Sequence, residues 1–250
     1  MSGEVRVTLE GDQGDISADA LHAALGSTVQ LVKDAGAAVG ATAGRWTIQD
    51  LSVGSASFAI ANPAAPGVPT LIAVGLDALR SSSSIPPHWT QRMVRRARDL
   101  GRLIGSGGVQ GVLVNLPDTE PMKIDGTVTA HADAALETKE VSLGAVTGLV
   151  DVWRERHGRQ IGLTLNTGET LTATYGAELA DRIRDEALGR HIEARGEIRR
   201  NASGQRVSLV IDSFNVLPSN VPMSIDELAG LYADLAHAGM TSREVLEHRE

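Results

Sequence analysis

"GLVDVWRERHGRQIGLTLNTGETLTATYG", residues 148–176, alternates apolar and polar side chains through three runs separated by two turns. Alternation of period two is the mark of a strand with one buried face. In "QIGLTL" the inward set is Ile161, Leu163 and Leu165, and in "TLTATY" it is Leu171, Ala173 and Tyr175. "RERHGR" and "NTGE" supply the turns. The first run begins earlier, in "VSLGAVTGLVDVW", with Val146, Val150 and Val152 on one face and Gly148 between them. Glycine inside a long strand marks a bend. The stretch therefore reads as one half of a small closed β-barrel.

The rest of the barrel follows in sequence. "AELADRIRDEAL" places Leu179, Ile183 and Ala187 four apart, as a helix does, and Gly189 stops it. "RHIEARGEI" is a fourth strand with Ile192, Ala194 and Ile198 inward, "RRNASGQ" turns, and "RVSLVIDSFNVL" is a fifth. Three strands, a helix and two strands, with a long bent first strand, resemble the OB-fold, a five-stranded Greek-key barrel. Such barrels bind oligonucleotides on the face of strands two and three. The outward residues there are Gln160, Gly162, Thr164, Thr170, Thr172 and Thr174. None is aromatic or basic, so this face offers neither stacking nor phosphate neutralisation and is not expected to bind nucleic acid. The basic spot is the hairpin with Arg154, Arg156 and Arg159, beside Trp153.

Upstream, the chain mixes strands and helices, which predicts an α+β domain. "EVRVTLEG" alternates Val5, Val7 and Leu9. "ISADALHAALGSTVQLV" is a helix with Ser17 as N-cap and a stripe through Leu21, Leu25, Thr28 and Val32. "RWTIQDLSVGSASFAIA" is two extended runs broken near Gly54. "TLIAVGLDAL" fits a buried strand or a helix, and is taken as a strand entering a short helix. From His88 the pattern is helical, with Trp89, Met93, Ala97, Leu100 and Ile104 on one side. "GSGG" ends that helix, and "VQGVLVNLP" is another strand. The same helix carries Arg92, Arg95, Arg96, Arg98 and Arg102. These fit a solvated face or an anion contact. "GSGGVQG" lacks the Lys-Ser/Thr of a phosphate loop and follows a helix, so it is a helix stop.

The boundaries expected are an α+β domain over 1–138, an OB-like barrel over 139–218 and a helical tail over 219–250. In the tail, Ser224 with Glu227 and Thr241 with Glu244 make two capping-box patterns, with Gly239 between. The first helix carries Ile225, Leu228, Leu231 and Leu235, with Tyr232 beside them. Met240 follows, and the second helix carries Val245 and Leu246 among charges. A helix that short is marginal alone and needs something to dock on.

Composition narrows the rest. The 250 residues include no cysteine, so disulfides and thiolate metal sites are excluded. No apolar run is long enough for a membrane span and no secretory signal opens the chain, so a cytoplasmic protein is expected. The net charge of −8 opposes broad phosphate binding, and aromatics make up only 3%. The seven histidines are scattered, no HExxH or G-x-S-x-G pattern occurs, and no metal or cofactor is expected.

"VRVTLEG", "WTIQDLSVGSASFAI", "GRHIEARGEIRRNASGQRVSLVIDSFNVLP" and the capped tail together resemble a widespread family of prokaryotic two-domain proteins of mobile and defence gene regions. The tail "GMTSREVLEHRE" is similar in style to the C-terminal helices with which antitoxins hold their toxins. That resemblance implies a non-enzymatic interaction subunit, antitoxin-like or an adaptor, and a protein partner such as a toxin-like nuclease. The partner-binding residues would be Leu228, Leu231, Tyr232, Leu235, Met240, Val245 and Leu246. The alternative is a nucleic-acid-binding module using Arg92, Arg95, Arg96 and Arg102, or Trp153, Arg154, Arg156 and Arg159. An enzyme whose groups converge from distant positions is a third reading, and a polar pocket with perturbed carboxylates would be its sign.

Overall fold

The computed structural model describes residues 3–218, apart from 13, 42–43, 53–55 and 156–157. The tail helices expected after residue 219 lie outside the described residues, as does the break near Gly54. Among the described residues no helix is long and apolar enough to cross a membrane.

The N-terminal part is a five-stranded antiparallel sheet, ordered β2 (Thr47–Ser52), β3 (Ser57–Ala61), β1 (Glu4–Glu10), β4 (Gly111–Asn115), β5 (Met122–Ile124). Val5, Val7 and Leu9 alternate to one face and join Phe58, Ile60, Val112 and Val114 in the core. The helices α1 (Ala18–Ala38), α2 (Val68–Ser81), α3 (Gln91–Gly101) and α4 (Gly126–Leu136) cover that core. Each of three helices starts on a side chain that takes an orphan backbone N–H. Ser17 accepts from Ala20 at 3.2 Å, Thr90 from Met93 at 3.3 Å, and Asp125 from Val128 at 3.0 Å. On α3, Met93, Val94, Ala97 and Leu100 are fully buried. Each larger one contributes about 1.5–3 kcal/mol of burial.

Four features differ from expectation, the first being that the helix expected over 88–104 runs only Gln91–Gly101 and leaves His88, Trp89 and Ile104 outside it. "TLIAVGLDAL" is helical throughout, within α2. Pro69 suits a first helical turn, and Val68, Ile72, Leu76 and Leu79 make a buried stripe of helical period. Helix α1 continues to Ala38 rather than ending near Val32, which adds Asp34 to it. Residues 122–136 hold β5 and α4, neither of which is expected from the pattern of residues there.

The second part is a closed five-stranded ring, ordered β10 (Arg206–Val216), β8 (Thr170–Tyr175), β7 (Gln160–Leu165), β6 (Glu140–Arg154), β9 (His191–Arg200). β8 and β10 are parallel and the other neighbours antiparallel. The long β6 pairs with β9 along Glu140–Leu149 and with β7 from Gly148 onward, so it bends where Gly148 was expected to bend it. The inward residues of β7, β8 and β9 are those the alternation predicts. Between β8 and β9 the chain makes a 3-10 turn (Ala177–Leu179), an α turn (Ala180–Arg182) and a π turn (Ile183–Ala187). Leu179, Ile183 and Ala187 enter the barrel core, and the Arg182 guanidinium lies 4.7 Å over the Phe214 ring.

Strand β6 departs from simple alternation. A bulge at Asp151 puts two residues against one on β7, so Val152 turns away from the core and Trp153 turns toward it. Val152 was expected inside.

Three amide side chains join the two parts. Gln205 Nε2 donates to the Ile85 carbonyl at 3.0 Å while its Oε1 accepts from the Ile85 N–H at 2.7 Å. Asn201 Nδ2 donates to the Ala135 carbonyl at 3.0 Å. Gln91 Nε2 donates to the carbonyls of Arg206 and Val207. Asn201 and Gln91 are buried, so these bonds are made away from water, where an unmade one is costly. "RRNASGQ", which reads as a plain turn, is therefore the tie between the parts.

Candidate functional site

The tie holds α3 against the outward face of β7 and β8, and a cleft of ≈ 740 Å³ opens between them. That is within the range of ligand-binding clefts. One wall comes from the end of α1 and the segment Ile85–Arg92, the other from Asp151, Val152, Thr164 and the β7–β8 turn. Arg92 and Val152 also line a smaller cavity of ≈ 110 Å³, together with Arg95, Arg154, Gln160, Ile161, Gly162 and Thr172. The two cavities thus share a rim and run along one strip of the barrel.

The smaller cavity is the electropositive one. Among the described residues Arg92, Arg95 and Arg154 line it, no carboxylate does, and none of the three is in an ion pair. Burial pushes the Arg95 guanidinium below its ordinary range, and the neighbouring cations Arg98, Arg96 and Arg92 push it the same way. Gly162 forms the floor. A Cβ there would stand 2.7 Å from Asp151 Oδ1 and 3.2 Å from Val152 Cβ, so the bulge and the glycine fit one another. Asp151 is itself held by Thr164, whose Oγ1 donates to Oδ2 at 2.7 Å.

Asp34 faces this cluster from α1. It is half-buried, and burial raises its carboxyl above the usual range against the lowering pull of Arg92, Arg96 and Arg154. His88 lines the larger cleft in a left-handed backbone conformation, φ 63°. Non-glycine residues seldom adopt that conformation, and the turn closed by Trp89 N–H to the Pro86 carbonyl, 3.1 Å, fixes it.

The arginines of α3 divide into two groups. Arg92 and Arg95 point into the groove. Arg96 contacts Asp99 at 3.5 Å, Arg98 contacts Asp99 at 2.9 Å, and Arg102 reaches Asp133 of α4 at 2.8 Å, and none of the three lines either cavity. Arg154 joins Arg92 and Arg95, although 62 positions of sequence separate it from Arg92. Arg159 is exposed just before β7 and lines neither cavity. Arg156 lies outside the described residues, as do Leu228, Leu231, Tyr232, Leu235, Met240, Val245 and Leu246. Trp153 packs on the barrel core rather than beside the basic hairpin as a stacking surface.

The face of β7 and β8 carries no charge of its own, as expected, but α3 supplies it. Sequence reasoning missed that juxtaposition, along with Asp34, Gln91 and Gln205. The signal for the two glutamines was weak, since an amide reads as a surface residue until a buried carbonyl is found for it. Among the described residues no three His, Asp or Glu side chains converge as metal ligands, and no imidazole is hydrogen-bonded to the Thr164–Asp151 pair.

No family model matches the chain, and no curated protein matches it. Among solved structures it is similar to a chain in the crystal structure of the S. pombe Stn1-Ten1 complex. The likeness has 17% identity, covers 42% of this chain and 76% of that one, and has a TM-score of 0.25.

Proposed function

We propose that this protein is a non-catalytic binding protein that holds single-stranded nucleic acid by its phosphate backbone, in the groove between α3 and the barrel. The observation that carries this is the convergence of Arg92, Arg95 and Arg154, without carboxylate partners among the described residues, on the outward face of β7 and β8. The strand order and the helical turns between β8 and β9 support reading the ring as OB-like, and in OB-folds that face binds oligonucleotides. In a chain of net charge −8, a local cation cluster of this kind is the exception. Among the described residues Trp89, Trp153 and Tyr175 pack in the cores and the small cavity is lined by no aromatic side chain, so binding there should tolerate any base sequence.

Fluorescence anisotropy with a labelled oligonucleotide tests this. Affinity should fall with salt, with a log–log slope of about −0.7 for each phosphate neutralised on a single strand. Replacing Arg92, Arg95 and Arg154 by Gln should flatten that slope and weaken binding about 10- to 1,000-fold, at ~1 kcal/mol or more per lost charged contact. Binding untouched by the triple substitution would refute the groove.

A second reading belongs to the tail. Residues 219–250 hold six acidic and two basic side chains beside the apolar stripe of Ile225, Leu228, Leu231 and Leu235. This pattern suits an antitoxin-like or adaptor role toward a basic partner such as a toxin-like nuclease. Co-expression with the neighbouring reading frame checks it. A second polypeptide in fixed ratio, lost on removal of residues 224–250, is the expected result, and a lone species would end this reading.

A further inference from the structure

We propose that Asp34 is a resident counter-anion of the arginine groove, and that it makes binding require several successive phosphates instead of a single anion. This rests on the groove being a phosphate-binding surface. Asp34 stands in the last turns of α1 and lines the cleft, with Arg92 and Arg96 of α3 and Arg154 of β6 within electrostatic reach. An Asp among arginines ordinarily closes onto one of them as a two-pronged pair. Here it does not. Among the described residues Asp34 makes no ion pair, and neither do Arg92, Arg95 and Arg154. The acid's field therefore reaches the groove, while among the described residues no carboxylate takes the N–H donors of Arg92, Arg95 and Arg154.

The consequence for a ligand follows from charge alone. A lone phosphate that settles against Arg92 and Arg154 also approaches Asp34, and like charge subtracts from what the arginines add. A strand spreads its charges over Arg92, Arg95 and Arg154, so the same opposition is a smaller share of the total. Asp34 thus excludes small anions, which are abundant in any cell, while admitting a polyanion. The remaining charged groups of the cleft, His88, Asp151, Glu169 and Arg206, lie along the larger cavity and leave the smaller one to the arginines.

The test uses the full chain with Asp34→Asn, and Asp77→Asn as a control that changes the formal charge equally at an exposed position on α2. The probes are oligothymidylates of increasing length, and inorganic phosphate as competitor. Asp34→Asn should tighten oligonucleotide binding about 3- to 10-fold at low salt, with the gap closing as salt rises. Inorganic phosphate and the shortest oligothymidylate should gain more from the substitution than the longest one does, and Asp77→Asn should match the wild type. Equal or weaker binding by Asp34→Asn, in a protein that still unfolds cooperatively, overturns the proposal. So does an equal gain from Asp77→Asn. If neither the wild type nor Asp34→Asn binds any oligothymidylate, the groove itself is misread, which is a different failure.

Discussion

A Cβ added at Gly75 would lie 1.8 Å from Cε2 of Trp89, so the helix α2 has to be bare where the indole crosses it. The indole is fixed there because its Nε1 donates to the Leu71 carbonyl at 2.9 Å. Gly75→Ala is accordingly expected to cost about 1–3 kcal/mol by overpacking, read as a lower urea midpoint with unchanged slope. Asp34 is the opposite case, a residue whose own state is unfavourable. Burial raises its carboxyl in the folded protein, so ionised Asp34 costs stability that is recovered as pH falls through its range. Asp34→Asn should be more stable than the wild type at neutral pH, and the two should converge under mildly acidic conditions. A gap that widened on acidification would contradict the assigned cause.

Helix α3 does two jobs with one pattern. Its apolar stripe was legible because Met93, Ala97 and Leu100 recur at helical period, and the structure buries them fully. Its arginines were legible only as a list, because what separates Arg92 and Arg95 from Arg98 and Arg102 is what stands opposite, the barrel or Asp133 of α4. The barrel strands were readable for the same reason as the stripe: period two survives in β7, β8 and β9. In β6 it fails after Val150, because a bulge shifts the phase by one residue and leaves no mark in composition. In α2 the apolar content masked a helical period, and Pro69 at the first turn was the better guide. The bulge also makes a prediction. Gly162→Ala should push against Asp151 and Val152, narrow the groove and weaken oligonucleotide binding more than its effect on thermal unfolding would suggest. The tie between the parts makes another. Gln205→Ala removes both bonds to Ile85, and Asn201→Ala leaves the buried Ala135 carbonyl without its donor. Together they should cost ~2–5 kcal/mol of the cooperativity between the parts. One calorimetric transition should then split into two, whereas a single unshifted transition would show that the amides do not couple them.

The cleft belongs to neither part alone. Each core closes on its own residues, one around the sheet and helices and one inside the ring. What the pairing adds is a strip of surface where an uncharged barrel face meets borrowed arginines, in a molecule otherwise acidic. On the function proposed above, this strip is the place a polyanion would take, which neither the net charge nor the aromatic content would suggest. Hydrogen–deuterium exchange on the full chain, with and without a saturating oligothymidylate at low salt, locates the ligand. Slowed exchange should be confined to residues 90–97 and to 150–174. Protection on other surfaces, with those two stretches unchanged, would contradict the arginine groove as the binding site.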